Sequence, residues 1–342
     1  MVKKAKNNRK KEKQIMAVGN IGRPSLEQQY PDWNDLCDHI LTKITIKKGE
    51  QKKFREWFME REPLGLRFDP KMIKRCYFIW KELKKGLDHF IVICGREGWG
   101  KSTLAINIAA WIDPRFTKAR IVSNTQEYLE QLHKKADAIK ETGIDRENAE
   151  SLVLDEGTDL LSRESLSKTN VMLTKTFFIQ RALGFLVIVN IPNFFMLDTV
   201  VRLHRVRTLI ELTGAKEYKA ITSKGIKIVA KVGAKEKNVL GVKLPTNWFW
   251  YGSFQFKFPN TVDYLEYEKQ KLQGIVGTLN ELKDNSKLGA FVKSSTAAKK
   301  LGVKTNVIVA NIKKGKIKGK KIGGTWYIPK EEAEKVFNTE IA

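Results

Sequence analysis

The chain has 342 residues, 42% apolar and 10% aromatic, which excludes a wholly disordered polypeptide and leaves room for about two domains. Its 63 Lys and Arg against 38 Asp and Glu give a net charge of +25, which favours an anionic partner, nucleic acid first and an acidic membrane surface second. No apolar run approaches the ~18 residues of a membrane span, and Cys37, Cys76 and Cys94 lack metal-ligand spacing and an even count for disulfides, so a reduced, cytoplasmic protein is expected, in the host's cytoplasm if the gene is viral.

Residues 1–14 carry seven basic side chains and one acidic one, and the stretch Ile15–Val18 that follows is too short for an export signal, so residues 1–22 read as a flexible basic tail. Residues 23–87 mix Pro, charge and aromatics (Trp33, Phe54, Trp57, Phe58, Trp80), and predict packing or docking helices without a chemical motif. From Asp88 the pattern alternates. Strands are predicted at His89–Cys94, Arg120–Val122, Ser151–Leu154, Phe185–Val189 and Thr208–Leu212. Between them fall helices at Ser102–Ile112, Gln126–Ile139, Leu166–Ala182 and Leu197–His204. Strands separated by helices imply a mainly parallel sheet in an α/β sandwich. Lys219–Val232 is then expected to form a hairpin turning at Ser223-Lys224-Gly225, and Trp248–Phe258 to be an extended aromatic stretch. Residues 261–287 are expected to form a linker helix, and 288–342 a separate small domain.

Gly95-Arg96-Glu97-Gly98-Trp99-Gly100-Lys101-Ser102, followed by Thr103, matches the phosphate-loop pattern GxxxxGK[ST]. It follows the strand ending at Cys94 and opens a helix, which places backbone N–H groups and the positive helix end around an anion. Glycines suit it because the backbone must approach phosphates closely in conformations that a Cβ obstructs. Lys101 is expected to reach the β/γ-phosphates of ATP and Ser102 to ligate Mg²⁺. The run Leu152-Val153-Leu154-Asp155-Glu156, 54 residues beyond Lys101, is an apolar strand ending in two carboxylates, and it resembles a Walker B motif. Asp155 is placed to hold Mg²⁺ directly or through water, and Glu156 to polarise the attacking water. Asn190, following the strand Phe185–Val189, is a candidate sensor of the γ-phosphate.

The order of these motifs, with Asp198 and Arg202 before a further strand, resembles the additional-strand P-loop ATPases, in particular the HerA/FtsK-like motors and the viral packaging and zonula-occludens-toxin-like ATPases. The resemblance covers residues 88–235, within an ATPase domain expected over 88–260, and it is specific at the two Walker motifs. HerA/FtsK-like proteins usually carry Gln where Asn190 aligns, a residue more typical of AAA+ proteins, so the subfamily stays open. Partition ATPases of the ParA type fit worse, because Arg96 and Glu97 replace their signature Lys and Gly. A thymidylate-kinase-like loop also matches Glu97–Thr103, but leaves Asp155-Glu156 and the basic C-terminus unexplained. The resemblance implies ring assembly and an arginine offered to a neighbouring subunit's site. Arg205 is the first candidate, Arg202 the second, and Arg181 an outside one.

Residues 286–342 carry thirteen lysines and four glutamates, and Asn285–Lys330 has twelve lysines and no acid. A merely solvated face usually mixes signs. Residues 291–337 resemble the small winged helix-turn-helix domains of the excisionase and MerR type. Ser295–Leu301 suits a first helix, Gly302-Val303 a turn, Lys304–Lys314 a recognition helix, and Ile317–Ile328 a hairpin wing about Gly323-Gly324. Lys304, Thr305, Asn306 and Lys313 on the helix and Lys316, Lys318, Lys320 and Lys321 on the wing are then the DNA contacts. Lysines without arginines favour phosphate contact over guanine reading. The sequence therefore predicts a Mg-ATP-dependent, DNA-stimulated ATPase that moves or packages duplex DNA, homo-oligomeric and without a membrane span, from a virus, plasmid or other mobile element. The alternative is an ATP-switched initiator, helicase loader or segregation protein; a nucleotide kinase fits less well.

Overall fold

The computed structural model describes residues 29–143, 149–155, 180–233, 238–273, 276, 291–300, 302–322 and 325–329. The chain divides into two compact units, Met1–Tyr267 and Glu268–Ala342.

The first unit opens with helices α1 (Trp33–Lys43), α2 (Gln51–Met59) and α3 (Pro70–Leu83). Asp32 caps α1 by accepting from the Asn34 and Asp35 amides, and Asp69 caps α3 in the same way, with Pro70 in the first-turn position where no amide is needed. These helices share one core with the phosphate-loop helix α4 (Lys101–Ile112) and one face of the sheet: Leu36, Phe54, Trp57, Ile73 and Tyr77 pack with Leu104, Ile108 and Trp111. The cause is legible in α4, whose Leu104–Ile112 run is apolar except for Asn107 and buried at every position, and therefore needs cover away from the sheet as well as against it. Arg61, fully buried, ties the layers together by donating Nε to the Trp111 carbonyl at 2.9 Å while its guanidinium lies 4.4 Å from the Trp57 ring.

The sheet has seven strands in the order β2-β3-β4-β1-β5-β6-β7. They are β1 (His89–Cys94), β2 (Ile121–Val122), β3 (Glu150–Leu154), β4 (Phe185–Ile191), β5 (Thr208–Gly214), β6 (Glu217–Thr222) and β7 (Phe249–Ser253). The run from β2 to β5 is parallel, and β6 and β7 extend it antiparallel. Alternate residues face two cores. Ile91, Ile93, Val153 and Ile188 meet α4, while Val92, Leu152, Val187 and Leu209 pack with Tyr128 and Leu132 of α5 (Thr125–Thr142), Val201 of α6 (Thr199–His204), and Ile226 and Val229 of α7 (Ser223–Val232). This is a mixed α/β fold with a mostly parallel sheet, consistent with a P-loop NTPase-like architecture.

The hairpin expected over Lys219–Val232 is displaced. β5 and β6 form it, turning at Ala215-Lys216, where Lys216 has φ 68°, and Ser223-Lys224-Gly225 instead opens α7. Ile226, Val229 and Ala230 are buried at helical spacing, and this outweighs the turn-like Ser-Lys-Gly signal. The expected helix Leu166–Ala182 lies largely outside the described residues; Gln180–Leu183 forms a 3₁₀ turn.

Helix α8 covers residues 264–273. The second unit contains β8 (Phe291–Lys293), α9 (Ser294–Lys300), α10 (Thr305–Lys313), β9 (Lys320–Ile322) and β10 (Thr325–Pro329), with strand order β8-β10-β9, both pairings antiparallel. Its small core is Ala297, Ala298, Ile308, Ile312, Ile317 and Ile328. Gly302, at φ 65°, makes the turn between the helices. Among the described residues of the chain no helix is long and apolar enough to cross a membrane.

Candidate functional site

The loop Gly95–Gly100 joins the end of β1 to α4. Gly95, Gly98 and Gly100 all have positive φ (137°, 77° and 93°). At two of them close packing adds to the conformational demand: a Cβ on Gly95 would lie 2.8 Å from Leu212 Cβ, and one on Gly100 would lie 2.0 Å from Phe256 Cε1. Lys101 Nζ donates to the Gly95 carbonyl at 3.0 Å, folding the lysine back over the loop. Trp99 packs against the core beneath the N-terminal helices, and Thr103 lies in the first turn of α4.

Asp155, directly after β3, is buried and accepts three hydrogen bonds. Ser102 Oγ and Asn190 Nδ2 both donate to Oδ1 at 2.8 Å, and Tyr267 OH donates to Oδ2 at 2.6 Å. The pairing of β4 between β1 and β3 makes this possible, because Asn190 stands opposite Ile93, the penultimate residue of β1. Asn190 lies inside β4, which runs to Ile191, rather than after its end. Its amide must donate to the carboxylate, so its Oδ1 faces away, buried and without a partner among the described residues. Thus Lys101, Ser102, Asp155 and Asn190 come together at one edge of the sheet. Glu156 lies outside the described residues.

Two further residues belong to this edge. Glu211 on β5 stands opposite Cys94 and accepts from its thiol. Burial pushes its carboxyl above the ordinary range, opposed by the thiol bond and by the charges of Lys101 and Lys219. The only signal in the sequence is a lone acid within the apolar run Thr208–Leu212. Tyr267 is missed because residues 261–287 read as a polar linker. Asp263 starts the helix 264–273 by accepting from the Glu266 amide at 3.0 Å, which puts Tyr267 in its first turns, its ring 5.3 Å from that of Phe258 and tilted 44° to it.

These residues fit a magnesium-bound nucleoside triphosphate. The loop offers a cradle that a side chain would fill, Ser102 and Asp155 lie within hydrogen-bond distance of each other, and the orphaned Asn190 oxygen leaves an acceptor beside them. Among the described residues no group of three or more His, Cys, Asp or Glu could hold a metal, so a cation here depends on Ser102, Asp155, phosphate oxygens and water.

The arginines behave differently. Arg205 is buried and ion-paired with Asp88, the residue before β1, at the sheet edge opposite the phosphate loop. Arg202 is also buried, donating to Thr199 Oγ1 at 2.8 Å with its guanidinium 5.4 Å from the Phe195 ring. Both guanidinium groups are thus engaged within this chain. Arg181 is exposed.

In the second unit, Lys304, Asn306, Lys313, Lys316 and Lys318 are exposed and Thr305 is half-buried at the start of α10; Lys320 and Lys321 lie in β9. No family model matches the chain, and no curated protein matches it. One solved structure, the N-terminal domain of zonular occludens toxin from Neisseria meningitidis, is similar at 18% identity and a TM-score of 0.26, over 40% of this chain and 83% of that one. At that score the likeness adds nothing to the geometry.

Proposed function

We propose that the chain is a Mg-ATP-dependent ATPase that acts as a DNA-binding motor, of the kind that viruses and mobile elements use to move or package DNA. The observation that carries the reading is Asp155, which accepts from Ser102 of the phosphate-loop helix and Asn190 of the interposed strand at one sheet edge. A strand between the phosphate-loop strand and the Asp155 strand is the arrangement after which the additional-strand ATPases are named. Mg²⁺, when bound, supplies the charge neutralisation that phosphoryl transfer needs. The loop amides and Lys101 hold the phosphates, Ser102 and Asp155 hold the cation, and Asn190 orients the Asp155 carboxylate. Glu156, next in sequence, takes the proton of the attacking water.

The DNA part of the proposal rests on charge. The second unit pairs two short helices about Gly302 with a three-stranded sheet, and its exposed lysines suit phosphate contacts, as expected for a winged helix-turn-helix module. Turnover should rise several-fold on adding nonspecific duplex. Deleting residues 286–342 should weaken duplex binding and flatten its salt dependence while sparing basal ATPase. Unchanged duplex affinity after the deletion, with no stimulation of the intact chain, would overturn the motor reading. Tight binding to a single site with slow turnover would make the protein an ATP-operated assembly switch instead.

A further inference from the structure

A second concentration of charge lies at the other edge of the sheet. Phe249 at the start of β7 pairs with Ile221, which pairs with Leu209 near the start of β5, whereas the phosphate loop follows the end of β1. A cleft of about 390 Å³ opens there between the end of α1, the first half of α3 and the start of β7. Lys43, Lys71, Lys74 and Arg75 line it, and no acid does. Phe78, Phe249 and Trp250 supply aromatic walls, and the mouth is exposed at Lys43, Lys71, Thr246 and Asn247.

Arg75 is the central observation. Its Nη2 donates to Thr208 Oγ1 at 2.9 Å and lies 3.3 Å from His89 Nε2, and its Nε lies 3.3 Å from the same hydroxyl. Among the described residues no carboxylate stands at ion-pair distance from it. Glu82 is bonded instead to the other ring nitrogen of His89, at 3.1 Å. Burial holds His89 down to about 4, so at neutral pH the ring is an uncharged relay, with Nδ1–H towards Glu82 and Nε2 accepting. Asp69, the acid nearest Lys71, is taken up by the α3 cap and the Tyr218 hydroxyl. Among the described residues the half-buried guanidinium has only neutral direct partners and is flanked by three lysines, and its acid, Glu82, acts on it only from beyond the His89 ring.

We propose that this cleft binds a single-stranded nucleic-acid segment, with a backbone phosphate against Arg75 and Lys74 and an unstacked base against the aromatic wall. The volume suits about one nucleotide, and a base must leave its duplex partner to meet Phe78, Phe249 or Trp250. The exposed mouth lets the strand continue in both directions. This site is separate from the ATP site and does not depend on it.

The test uses the full chain and a fluorescent fifteen-residue oligothymidylate, with 5-iododeoxyuridine placed centrally for photocrosslinking. Crosslinks are expected within residues 71–78 or 246–250. Lys71→Glu with Lys74→Glu should weaken binding at least tenfold and leave ATP affinity unchanged. Acids in the first turns of α3 suit that helix end, so the fold is retained, and Phe78→Leu provides a second, uncharged variant expected to weaken binding several-fold. Crosslinks confined to residues 286–342 or 1–22, full affinity in both variants, or displacement by equimolar inorganic phosphate would each overturn the proposal. Failure of ATP to bind would count against the motor reading alone.

Discussion

The two edges of the central sheet handle charge in opposite ways. Where β1 ends, the charge of Lys101 acts on the Glu211 carboxyl, and the Asp155 carboxylate is held by three donors. Where β1 begins, the Asp88–Arg205 pair is closed within the protein, while the direct partners of Arg75 among the described residues are the neutral Thr208 and His89, with Glu82 beyond the ring. A balanced site has no net pull on a bare anion and needs a cation to accompany its phosphates. A site with four cations in its lining and its nearest acid set back behind a neutral ring pulls on an anion directly. ATP binding at the first edge should therefore require Mg²⁺, and oligonucleotide binding at the second should survive a chelator.

The largest effect is expected at the closed pair. Arg205→Ala leaves the buried Asp88 with Arg207 alone, 3.8 Å from its Oδ1, and should cost about 3 kcal/mol of stability, read as a lowered urea midpoint. A variant of full stability that has lost turnover would restore Arg205 as an arginine finger and remove this contrast. Glu156→Gln should retain ATP affinity and slow turnover by roughly 10²-fold or more in single-turnover assays. Parallel loss of affinity would move Glu156 from water activation to nucleotide binding.

His89 gives the Arg75 edge a pH signature. Its folded pKa of about 4 lies below the unfolded value of 6.5, so the unfolded chain binds the extra proton. The contribution is present above pH 6.5 and is lost as pH falls towards 4, up to about 3 kcal/mol. Urea unfolding from pH 7.5 to 4.5 should show this slope, reduced in His89→Gln; an identical slope would mean that the ring is not held neutral. The smallest effect is Tyr267→Phe, which removes one of three bonds to Asp155 and should raise the Mg-ATP dissociation constant several-fold, about 1 kcal/mol. No change would leave Tyr267 as a packing residue.

What the sequence reveals follows from how local each signal is. The phosphate loop is legible because its glycines, lysine and hydroxyl are contiguous, and Asp155 because an apolar strand ends in it. The parallel core follows from alternating periodicities. Tyr267 and Glu211 are hidden because only pairing across the sheet and chain return bring them to Lys101 and Asp155. The partner of Arg205 is hidden for the same reason: its sequence position suits a finger, and only the start of β1 reveals Asp88 beside it. The N-terminal helices show no chemical motif, yet the run Leu104–Ile112, apolar except for Asn107, already demands the cover they provide.

Calorimetric titration of ATP into the wild-type chain and into Lys101→Ala, each with Mg²⁺ and with a chelator, tests the central claim most directly. The account predicts saturable one-site binding only for the wild type with Mg²⁺, and at least a hundredfold weaker binding in the other three conditions. Equal affinity with and without Mg²⁺, or undiminished binding by a folded Lys101→Ala protein, would contradict it.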